Sequence, residues 1–124
     1  MSGSAIVLFA HGARDPRWAA PFEAIAGRAR AAAPDRIVRL AFLELMAPSL
    51  AEAIDALAAE GVADIDVVPL FLGTGGHLRN DLPRQAEAAR VAHPALRLRL
   101  HAAIGEDTSV MNAIAQAALR VAGE

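Results

Sequence analysis

Short, wholly apolar runs alternate along the chain with longer stretches in which apolar residues recur every three or four positions. Ala5–Ala10 (AIVLFA) is apolar throughout, the pattern of a strand covered on both faces. Trp18, Phe22, Ile25 and Ala29 then follow at helical spacing. Asp15 is placed to cap that helix, Pro16 fits its first turn, and Pro34 stops it. Ile37–Leu43 predicts a second strand. Pro48 is expected to open a helix with Leu50, Ile54, Leu57 and Ala58 facing inward, and Gly61 to end it. A third strand covers about Ile65–Leu72. Pro69 donates no ladder bond, so regular pairing should finish near Val68 or include an irregularity. A helix over roughly Asp81–Ala92 turns Leu82, Ala86 and Ala89 inward. The run LRLRLHA makes a fourth strand, and Asp107 caps a last helix carrying Val110, Ile114, Ala117 and Val121.

Strand and helix thus alternate four times with no linker between them. That order predicts an α/β fold of three layers, α/β/α, in which a four-stranded parallel sheet is joined by right-handed crossovers. One domain spans residues 1–124. Arg39 in the second strand, and Arg97 and Arg99 in the fourth, mark those two as edges. The strand order is then 2-1-3-4. Its topological switch falls between strands one and three, where open α/β sheets form their ligand crevice.

Composition narrows the chemistry. The chain has no cysteine, which excludes disulfides, thiolate zinc sites, iron–sulfur clusters and cysteine nucleophiles. A net charge of −2 with no basic tail argues against a nucleic-acid partner. No apolar run is long enough to span a bilayer, and no leader pattern opens the chain, so a cytoplasmic location without membrane attachment is expected. The segment GTGG lacks the lysine and hydroxyl residue of a phosphate loop, so no nucleotide is expected.

Two strand ends stand out. VLFAHGARDPRW breaks from apolar residues at His11, and VVPLFLGTGGH repeats the design at His77. With strands one and three adjacent, at about 4.8 Å spacing, both histidines belong to one rim. Glu44, after the second strand, approaches from the other side of His11. Two imidazoles and a carboxylate suit a borderline divalent ion such as cobalt, iron, nickel or zinc better than calcium. The bland alternatives are ordinary helix-start or loop hydrogen bonding for His11, a flexible glycine loop at His77, and a helix cap or a solvent-facing position for Glu44. Trp18 and Phe22 are expected in the core and His93 at a helix end. His101 shares a face with Arg97 and Arg99, at an exposed edge or a dimer contact.

The segments LFAHGARDP, AFLELMAPSL and VVPLFLGTGGHLRNDLP, in this order and spacing, resemble the short form of the CbiX/SirB branch of tetrapyrrole metal chelatases. They cover about the first two thirds of the chain, and the strand layout extends the likeness across a chelatase-like domain. The resemblance implies a lyase-type enzyme that inserts a divalent metal into sirohydrochlorin without ATP, in cobalamin or sirohaem synthesis. The metal is then a substrate, with Co2+ first and Fe2+ or Ni2+ as alternatives. It implies metal-site and catalytic roles for His11 and His77, and places a third carboxylate at Glu44. The many carboxylates of sirohydrochlorin would suit Arg14 and Arg79 as tetrapyrrole-binding partners. Longer members have a second lobe, so the resemblance also implies a homodimer whose other subunit completes the pocket. A non-catalytic carrier of metal or tetrapyrrole, and a small metal-assisted hydrolase, are the competing classes.

Overall fold

An apolar strand needs cover on both faces, and the structure gives the first strand that position. A computed structural model describes residues 3–123, apart from the side chain of His77. In it β1 (Ser4–Ala10), β2 (Ile37–Phe42), β3 (Asp64–Pro69) and β4 (Arg97–Leu100) form one parallel sheet ordered β2-β1-β3-β4. The order read from the arginines is correct. Arg39 on β2 reaches Glu60 at 2.8 Å, and Arg99 on β4 reaches Asp66 at 2.8 Å. Pro69 is tolerated as the last residue of β3. The neighbouring Leu70 N–H donates to the Phe9 carbonyl of β1, so position 69 faces the β4 side. There β4 has already ended, its final register pair being Val67 with Leu100.

The helices are α1 (Ala19–Ala32), α2 (Leu50–Ala59), α3 (His77–Ala92) and α4 (Thr108–Val121), of which the first three pack on the sheet. The main core lies between one sheet face and helices α2 and α3. It holds Val7, Phe9, Ile65, Val67, Ile54 and Leu57, among others. α1 covers part of the opposite face, where Ala26 packs against Leu8 and Val38.

Several local expectations shift. Asp15 does cap, but it caps a 3-10 turn, Pro16–Trp18, that leads into α1. The α1 stripe is rotated relative to the expected one: Ala26 is the buried residue, Phe22 and Ala29 are half-buried, and Trp18 is 42% exposed. Trp18 is therefore not a core residue. Its indole meets the Phe22 ring at 5.6 Å on the surface of the turn. Pro48 lies outside α2, which starts instead at a capping box: the Ser49 hydroxyl accepts from Glu52 N–H, and the Glu52 carboxylate accepts from Ser49 N–H. α3 begins a full turn before Asp81, at His77. His93 ends that helix as expected, and its Nε2 lies 2.6 Å from Asp55 Oδ1 on α2.

On the face shared with α1, β3 and β4 carry charge. Asp66 accepts from Arg99 Nε, lies 2.8 Å from His101 Nε2, and is 3.5 Å from Arg36. Arg99 first, then His101, holds the Asp66 carboxyl well below the usual carboxylate range. A lowered folded-state pKa contributes stability that is complete above the unfolded value of about 3.9 and disappears as pH falls through the lower folded value. Asp66→Asn is accordingly expected to lower the urea midpoint at pH 7. The gap to the unsubstituted protein should narrow steadily below about pH 4, which paired urea titrations at pH 7 and pH 3 would show.

Candidate functional site

The site is assembled by three loops that leave the carboxyl edge of the sheet. After β1 the chain runs through His11 and Gly12, and after β2 through Glu44 and Leu45. These two loops are joined through the main chain. Glu44 N–H donates to the His11 carbonyl at 3.2 Å, and Leu43 N–H donates to Ala10 at 2.8 Å. Glycine is required between them. A Cβ at position 12 would lie 2.0 Å from the Glu44 carbonyl oxygen, and Gly12 has φ of +92°. The partner loop is bent sharply, since Leu45 holds φ of 66° while Met46 N–H closes onto the Glu44 carbonyl at 2.8 Å.

The third loop follows β3 and supplies Phe71, which is buried. Its ring meets the His11 imidazole edge-on, with centroids 6.1 Å apart and planes at 87°. His11 is thus half-buried at the switch between β1 and β3, with Glu44 on one flank and Phe71 on the other. The Glu44 side chain is exposed. Leu45 and Leu72 are also open, at 56% and 70% exposure, and leave apolar surface on this rim.

His77 lies at the start of α3, after the same third loop, so its backbone leaves the strand next to that of His11. The expected convergence of its imidazole with His11 and Glu44 lies outside the described residues. Among those that are described, no three histidine, aspartate or glutamate side chains group closely enough to hold a metal ion.

The arginines divide. Arg14 is exposed in the loop after β1. Arg17 is committed to Asp15, whose Oδ2 lies 2.7 Å from its guanidinium, and this contact lowers the Asp15 pKa. Arg79 is exposed and lines a cavity of about 130 Å³ together with Thr74, His101 and Glu106. His101 thus shares this cavity with Arg79 while its Nε2 lies 2.8 Å from Asp66. Sequence reasoning missed Phe71, taken only as strand, and Glu106. The latter is brought to the rim by the 3-10 turn Ile104–Glu106, where Gly105 fits so closely that a Cβ would lie 2.1 Å from the Leu72 carbonyl oxygen.

A family model described as CbiX matches residues 5–121. The chain belongs to the CbiX family. Its relatives include a sirohydrochlorin cobaltochelatase of Methanopyrus kandleri, 38% identical over 80 residues, a match covering 64% of this chain and 56% of that protein. A sirohydrochlorin ferrochelatase of Bacillus subtilis is 28% identical over 110 residues, covering 89% of this chain and 42% of its own length. The chain thus spans about half the length of these curated relatives. A crystal structure of a candidate cobalamin (vitamin B12) biosynthesis CbiX protein from Marinobacter aquaeolei superposes with a TM-score of 0.85 at 33% identity, covering 94% of this chain and 95% of that one. Membership in the family agrees with the strand order and with the placement of the two histidine loops on adjacent strands. No helix of the described residues is long and apolar enough to cross a membrane.

Proposed function

We propose that this protein is a sirohydrochlorin metal chelatase that inserts Co2+ into the tetrapyrrole and works as a homodimer. The observation that carries the reading is the position of His11 in a CbiX-family chain: half-buried at the strand switch, backed by Phe71 and tied by its main chain to Glu44. Cobalt is placed first because the Methanopyrus relative is named for it. Iron is the alternative, favoured by the name of the Bacillus relative.

Insertion exchanges two pyrrole protons for one divalent ion, so the site must deliver a metal and receive protons. Neutral imidazole serves either purpose near neutral pH, but one nitrogen cannot do both at once. The roles are therefore sequential. His11, His77 and Glu44 hold the incoming ion, and a histidine released as ring nitrogens replace it takes up a proton. The exposed Leu45 and Leu72 offer apolar contact to the macrocycle, and Arg14 and Arg79 supply cations for its peripheral carboxylates. A second copy supplies the opposite wall, in keeping with relatives about twice as long as this chain.

The test is an anaerobic assay with sirohydrochlorin and cobalt, iron or nickel in parallel, following the absorbance change of metal insertion. Acceleration over the protein-free reaction, greatest with cobalt, is the expected result. Tight binding of the tetrapyrrole without acceleration would replace the enzyme with a carrier. Faster insertion of iron would move the assignment to ferrochelatase.

A further inference from the structure

Two leucines on the rim of the site stand where neither backbone preference nor core packing would put them. Leu45 is the middle residue of a three-residue turn in which Met46 N–H donates to the Glu44 carbonyl at 2.8 Å, and its φ is 66°. A γ-turn of positive φ is the rare and strained form, and it suits glycine or asparagine far better than a branched leucine. The strain is not repaid by burial, because the side chain is 56% exposed. Leu72 is more open still, at 70%, directly after the buried Phe71.

Their backbones are fixed in matching ways on either side of His11. On the β2 side, Glu44 N–H donates to the His11 carbonyl, and the Glu44 carbonyl occupies the space a Cβ of residue 12 would need. On the β3 side, the Phe71 ring touches the His11 imidazole, and the Phe71 carbonyl accepts from Gly105 N–H at 2.9 Å. A Cβ at residue 105 would collide with the Leu72 main chain. Each leucine therefore comes one residue after the group that contacts His11, and each is seated against a glycine of a neighbouring loop. β2 and β3 flank β1, so their ends stand about 10 Å apart, a span that a closed ring of four pyrroles can bridge.

We propose that Leu45 and Leu72 are the specificity-determining pair of the site, a rigid apolar clamp that grips one face of the tetrapyrrole and centres it over His11. The assignment rests on the tetrapyrrole substrate proposed above and names what recognises its ring rather than its charges. Arginines on the rim can meet peripheral carboxylates, but they neither register the apolar face of the macrocycle nor centre it on the imidazole. Two aliphatic side chains set across His11 do both. The glycine contacts fix both main chains before substrate arrives, which leaves little ordering cost for binding. Strain at Leu45 is then what the free protein bears to hold an apolar side chain in the open at that point.

The test follows sirohydrochlorin binding without metal, by absorbance titration, beside the insertion rate and the urea midpoint. Leu45→Asn removes the apolar surface and keeps a residue that accepts positive φ, and Leu72→Ser trims an exposed side chain. Each is expected to raise the dissociation constant about 10-fold, and the two together about 100-fold. The rate at saturating tetrapyrrole should stay within about twofold, as for lost uniform binding. The weakening should be equal at about 0.1 M and about 1 M salt, since screening fades ionic contacts and leaves apolar ones. Relief of strain should keep the urea midpoint of Leu45→Asn at or above that of the unsubstituted protein. Val91→Ser alters another exposed apolar residue, near the far end of α3, and should leave binding unchanged. An unchanged dissociation constant in the double variant overturns the clamp, as does an equal loss with Val91→Ser or a lowered midpoint for Leu45→Asn. If the unsubstituted protein binds sirohydrochlorin without accelerating insertion, the chelatase reading falls and the clamp is decided by the dissociation constants. No binding at all sinks both.

Discussion

Replacing His11 with alanine is expected to slow metal insertion by about 100-fold or more while shifting the urea midpoint only slightly. Catalysis and stability separate here because of how the residue is held. Its main chain makes the bond to Glu44, and that bond survives the substitution. Its ring makes an edge-on contact with Phe71, worth about 0.5–1.5 kcal/mol in comparable aromatic pairs. A small stability loss with a large rate loss assigns the imidazole to the chemistry. The opposite pattern, a folded variant with unchanged rates for cobalt, iron and nickel, would leave His11 as a packing residue. The measurement needs the protein-free rate subtracted for each ion, because insertion also proceeds slowly in solution.

Gly12→Ala is expected to be the most damaging single substitution for the fold near the site. A methyl group would enter the Glu44 carbonyl, and the backbone there has a positive φ that alanine adopts poorly. Overpacking and backbone strain together predict a loss of roughly 2–5 kcal/mol, read as a lower urea midpoint at unchanged slope. Insertion activity should fall too, because Glu44 is displaced from the His11 loop. Gly27 provides the contrast. It lies within α1, and a Cβ there meets nothing within 4 Å. Gly27→Ala should therefore stabilise by about 0.5–1 kcal/mol, the helix-interior preference of alanine over glycine. Two losses of similar size would refute the assignment of the first to a collision with Glu44.

The sheet and its switch point were legible because they depend on patterns the chain carries locally. β1 is apolar on both sides, so it must be central, and Arg39, Arg97 and Arg99 mark the edges. The order of strands followed from little more. The His11 rim followed from the order. What escaped was set by distant partners or by cancelling local signals. Phe71 looks like any strand phenylalanine until β1 and β3 are side by side and its ring meets His11. The first turn of α3 is polar at Arg79 and Asn80 and precedes Pro83, so it shows no stripe to extend the helix back to His77. Pro48 masked the capping box that starts one residue later at Ser49. For α4 the amphipathic pattern and the Asp107 cap were both readable. What covers its stripe was not, and among the described residues none of the helix is buried.

The register of the sheet has a consequence for how the molecule is made. Ser4–Ala10 pairs with segments that begin at Ile37 and Asp64, so β1 has its ladder on both sides only once both of these later segments are in place. Closure of the β-structure is complete at Leu100, and the final fourteen-residue helix takes no part in it. Assembly of the sheet is therefore governed by non-local parallel pairing, the slow kind of contact to form.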